Sequence, residues 1–181
     1  MKKIADKLKE KNIAEYLIYM WQVEDLIRAN NCDIDKMTDN VISGFNLNQT
    51  EKEELIEWYD NLINMMHAEG VNEKGHLQIN KNVILELEEL HGNLLATTQF
   101  PFYHAAYYKA LPFIIELRKK SSKKEESEIE TCFEAMYGIL LLRLQKKEIT
   151  KETQKAIDAI SNFLSMLANY YDKDSKNEIE W

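Results

Sequence analysis

From Phe100 to Leu117 the chain reads Phe-Pro-Phe-Tyr-His-Ala-Ala-Tyr-Tyr-Lys-Ala-Leu-Pro-Phe-Ile-Ile-Glu-Leu, and Lys109 and Glu116 are its only full charges. A helix that is apolar around its whole circumference must be covered on every side, by the rest of its own fold or by a second subunit. Pro101 suits a first helical turn, where its missing N–H would have had no partner. Pro112 sits deeper; it removes a backbone donor and leaves the carbonyl of Tyr108 without its i+4 partner. The segment therefore marks the centre of the architecture. It does not name a reaction.

Helix signals recur around this centre, and strand alternation is nearly absent. Asn12 with Glu15 reads as a capping box opening a helix to about Asn30. Asp33 or Asp35 opens a short helix ending near Gly44, and Thr50 with Glu53 opens a long one stopped by Gly70. After a loop over Val71–His76, a helix carries Val83, Leu87, Leu90 and Leu94 on one stripe. Ser127 with Glu130 opens a very apolar helix over residues 128–147. Within it, Gly138 and Ala135 form a flat patch suited to close approach by the Pro101 helix. Thr150 opens the last helix, with Ile157, Ile160, Leu164, Leu167 and Tyr171 at helical spacing. The expected fold is all-α: one domain over 1–181, an antiparallel bundle of about six to seven helices. Its central helices fall near 101–118 and 128–147, and residues 172–181 form a frayed tail.

The chain has 181 residues, enough for one domain, and a net charge of −8. That charge argues against general nucleic-acid binding, which rests on neutralising phosphates with Lys and Arg. Basic residues cluster at Lys2, Lys3, Lys7, Lys9 and Lys11, and again at Arg118, Lys119, Lys120, Lys123 and Lys124. The second cluster runs into Glu125, Glu126, Glu128 and Glu130, which reads as a solvated helix end followed by the acids of the next helix start. The cysteines, Cys32 and Cys132, lie far apart and suit a reducing cytosol. The apolar run Ile13–Val23 is interrupted or flanked by Glu15, Glu24, Asp25 and Arg28, so no signal peptide is expected. No segment reaches the roughly 20 uninterrupted apolar residues of a membrane span. A cytoplasmic protein without a membrane partner is expected.

Four patterns could carry chemistry. Wrapped as a helix, Ile13, Tyr16, Met20, Val23 and Ile27 share one face, with Glu24 at its edge, four residues before Arg28. That spacing and order favour an ion pair, either structural or a carboxylate poised for a ligand. Tyr103, His104, Tyr107, Tyr108 and Lys109 combine apolar bulk with polar tips, as a pocket wall or an interface does. The plainer reading is a core helix whose hydroxyls find backbone partners. Glu53, Glu54 and Glu57, with Glu86 and Glu89 one helix on, look like the acidic signature of all-α magnesium-dependent nucleotide pyrophosphatases, where carboxylates hold metal against phosphate. On a helical wheel, Glu57 and Glu89 point away from the apolar stripes. Glu88-x-x-His91 has di-iron bundle spacing; the simpler reading of His91 is a core histidine bonded to a backbone carbonyl.

Several stretches resemble a family of bacterial proteins known as domain of unknown function 4924: Tyr19-Met-Trp-Gln-Val-Glu-Asp-Leu-Ile-Arg28, Gly75-His-Leu-Gln-Ile-Asn80, Pro101-Phe-Tyr-His104 and Tyr107-Tyr-Lys-Ala-Leu-Pro-Phe113. The resemblance spans about residues 4–171 and implies a bacterial cytoplasmic origin, with no catalytic residues to carry over. The functional expectation is a binding or protein-interaction module without a cofactor. A homodimer is expected, because two helices apolar all round leave a patch that one layer of amphipathic helices does not cover. The alternative is a metal-dependent hydrolase acting on nucleotides or another phosphate substrate through the five glutamates.

Overall fold

Side chains placed just ahead of each apolar stripe set most of the helix starts. Asp33 accepts from the N–H groups of Asp35 and Lys36 and opens α3, Ile34–Asn40. Ser127 accepts from Glu130 N–H and opens α7, Glu128–Leu144; Thr150 accepts from Thr153 N–H and opens α8, Lys151–Ser175. The cap of α4, Gln49–Glu69, lies two residues before the expected Thr50. Asn48 and Glu51 make the reciprocal capping box there, while Glu53 is held by the Gln49 side chain at 2.6 Å. Gly70, at φ 68°, ends α4 in the left-handed region that glycine adopts without penalty. The remaining helices are α1 Lys2–Lys11, α2 Ile13–Ala29, α5 Gln78–Ala96 and α6 Pro101–Lys120, with a 3-10 turn at Ile42–Gly44.

The computed structural model describes residues 1–121 and 126–181. Among them there are eight α-helices and no strand, so the fold is all-α. Lys123, Lys124 and Glu125 of the second charged cluster lie outside the described residues. The helix beyond the expected seven is α1. Its sequence buries only Ala5, but Lys3 reaches Glu51 at 2.8 Å and Met1 is gripped by two hydroxyls. Tyr19 donates to its carbonyl (3.2 Å) and Tyr59 to its Sδ (2.8 Å). At the other end α8 runs on to Ser175, four residues into the expected tail, and Lys176 bridges back to Asp172 at 2.7 Å.

Contacts divide the chain into two compact units, Met1–Lys11 with Glu15–Asn82, and Asn12–Ala14 with Val83–Trp181. The first buries Leu17, Met20, Trp21, Val23 and Ile27 of α2, Met37 and Ile42, and Leu55, Tyr59, Leu62 and Met66 of α4. In the second, α6 packs chiefly along α8. Tyr103, Ala106, Tyr107, Ala110 and Ile114 form the buried side of α6, and Ile157, Ile160, Phe163, Leu164 and Leu167 that of α8. Helix α7 buries Ile129, Cys132, Phe133 and Ile139 but leaves Ala135 to Gly138 half-exposed. No heavy atom of a neighbouring helix lies within 4 Å of where a Cβ on Gly138 would sit, so the expected close approach of α6 at this glycine does not occur. Cys32 and Cys132 are both free and buried.

Candidate functional site

Glu24 is fully buried, and its carboxylate is saturated by donors from a loop fifty residues away in sequence. Oε1 accepts from Leu77 N–H (2.9 Å) and from Asn80 Nδ2 (2.7 Å), and Oε2 lies 2.6 Å from His76 Nδ1. The His76 ring stacks on Trp21 with centroids 4.0 Å apart and planes 12° from parallel, and its side chain is 22% exposed. Arg28 does not pair with Glu24. Its Nη1 takes Asp25 at 2.8 Å, and its Nε and Nη2 donate to the carbonyls of Val71 and Gly75. Two side chains of one helix thus hold the two ends of the loop that leads into α5.

The reason lies at the start of α5, whose first turn offers N–H groups that need acceptors. Glu24 takes the N–H of Leu77 and Glu69 takes that of Gln78, at 2.6 Å. Negative groups are favoured there by the helix dipole as well. Gly75 permits the turn, with φ 88° and a Cβ position already in contact with Val71. Chemically the arrangement fixes an imidazole with one nitrogen on a carboxylate and anchors a loop.

The tyrosine-rich group of α6 divides between two faces. Tyr103 and Tyr107 are buried, His104 is half-buried, and Tyr108 and Lys109 point to solvent on the opposite side. The buried pair sits in an aromatic cluster with His91, Phe163 and Tyr170. Their hydroxyls find side chains where backbone partners were expected: Tyr103 meets His91 Nδ1 at 2.6 Å, and Tyr107 donates to Glu128 at 2.7 Å. Burial and the Glu128 bond both push the Tyr107 hydroxyl pKa up. The backbone-bound histidines are instead His104, on the Leu94 carbonyl (2.9 Å), and His67, on that of Cys32 (3.3 Å).

Burial lowers the His91 pKa below its ordinary value, opposed in part by the nearby Glu128. Tyr103, Tyr107 and Glu128 are titratable groups beside this ring. The neutral imidazole is the form that fits the folded state, so the unfolded chain takes up a proton first as pH falls. Stability from this residue is then fully present above about pH 6.5 and is lost on acidification down to the lowered folded value. Urea unfolding at stepped pH should show this acid slope, at most about 1.4 kcal/mol per pH unit for one proton. In His91→Gln the slope should shrink; an unchanged slope would show that His91 does not contribute it.

Glu53, Glu54, Glu57, Glu86 and Glu89 are all exposed. Glu86 and Glu89 line a cleft of about 310 Å³ with Asn93, Tyr171 and Asp174, where Tyr171 donates to Glu86 at 2.6 Å. Among the described residues no three His, Cys, Asp or Glu side chains are gathered where they could hold a metal ion. A larger groove of about 640 Å³ lies between α6, α7 and α8, over Gly138. Gly138 and Ala135, the small-residue patch of α7, lie on it. Neither space includes Glu24 or Arg28. Among the described residues no helix is long and apolar enough to cross a membrane.

The chain belongs to the family described as a domain of unknown function (DUF4924), which matches residues 2–178 of 181. No curated protein and no solved structure matches it.

Proposed function

We propose, from membership of a family defined without an activity, that this protein is a cytoplasmic interaction module that works as a homodimer paired through the outer face of α6. The observation that carries this reading is the run Pro101, Ala105, Tyr108, Pro112 and Ile115, in which steps of four and three residues alternate down one side of the helix. Two paired helices use this seam spacing. Tyr108 and Ile115 are 61% and 43% exposed, and Phe102 beside them is 81% exposed. An antiparallel two-fold pairing level with Ala110 sets Ala105 against Ile115 of the second copy and Tyr108 against Pro112. Small then meets large on both sides of the axis, which is what a surface that pairs with itself requires. Lys109 and Glu116 flank the seam with opposite charges. The free, buried cysteines suit the reducing compartment.

Light scattering coupled to size exclusion at micromolar concentration should give twice the 21.3 kDa chain mass. Tyr108→Glu should give a monomer of unchanged helicity, since its side chain leaves the core untouched. A wild-type mass of one chain throughout a wide dilution series would overturn the reading.

A further inference from the structure

We draw no further inference here: the strongest candidate, the groove between α6, α7 and α8 over Gly138, sets Glu116 and Glu152 against Lys120 and Lys147 along its rim, and nothing in the structure shows what covers it.

Discussion

Glu24→Ala should unfold at much lower urea than wild type, with a loss of about 3 kcal/mol or more, because leaving a buried donor without its acceptor costs about 1–3 kcal/mol and several are left at once. Three donors lose their acceptor together: Leu77 N–H, Asn80 Nδ2 and His76 Nδ1. Leu77 and Asn80 are buried, so these groups cannot turn to water instead. Glu24→Gln is the informative companion. Its amide oxygen can still accept from Leu77 and Asn80, but its NH2 cannot accept from His76, so a loss of about 1–3 kcal/mol is expected. A double-mutant cycle with His76→Ala isolates the pair, and a coupling near zero would show that the ring merely stacks on Trp21. A Glu24→Ala chain as stable as wild type would mean that the carboxylate does not anchor the loop at all.

That carboxylate also shows where sequence spacing stops being informative. Glu24 and Arg28 stand at a helical ion-pair spacing, and the expectation of a pair between them is sound helix chemistry. It loses to two demands from residues distant in sequence. The start of α5 needs an acceptor, and the Val71 and Gly75 carbonyls need a donor. Neither need can be seen from α2 alone. Local signals fared better where the competition was local: Asp33, Ser127, Thr150 and Gly70 each end or begin a helix as their chemistry predicts. The misplaced start of α4 follows from a tie, since Asn48 with Glu51 and Thr50 with Glu53 both have capping-box spacing, and the sequence holds no local feature that separates them. Helix α1 escaped notice because its apolar content is too low to form a stripe. It is held by Met1 and Lys3 contacts to α2 and α4 that periodicity cannot register.

The all-round apolar character of the segments near 101–117 and 132–142 was legible, but its consequence was only half so. Periodicity tells that a helix lacks a polar face; it does not tell which neighbour covers which side. In α6 the division falls between the side packed on α8 and the side carrying Tyr108, Pro112 and Ile115. In α7 one flank of small residues stays open over the groove. Five tyrosine-stretch residues grouped as one candidate pocket therefore separate, because Tyr103 and Tyr108 are five residues apart, which places them well over 90° apart around a helix of 3.6 residues per turn.

Tyr103 is where the second large loss is expected. Its ring is fully buried against Phe163, Tyr170 and His91, and its hydroxyl is the described partner of His91 Nδ1. Tyr103→Ala removes a whole aromatic side chain from the contact between α6 and α8, a change that in packed cores costs about 3–5 kcal/mol. Tyr103→Phe keeps the ring and deletes only the hydroxyl, leaving a half-buried imidazole nitrogen without its partner, for about 1–2 kcal/mol. The two variants separate packing from hydrogen bonding, and the acid slope assigned to His91 links them. With the hydroxyl gone, the Nδ1 of His91 is no longer tied to Tyr103, so the pH at which the folded chain protonates should move in Tyr103→Phe. Titration of the His91 ring by nuclear magnetic resonance would read that shift directly. If Tyr103→Ala lost less than about 1 kcal/mol in urea unfolding, the aromatic cluster would not be the core that holds α6 on α8.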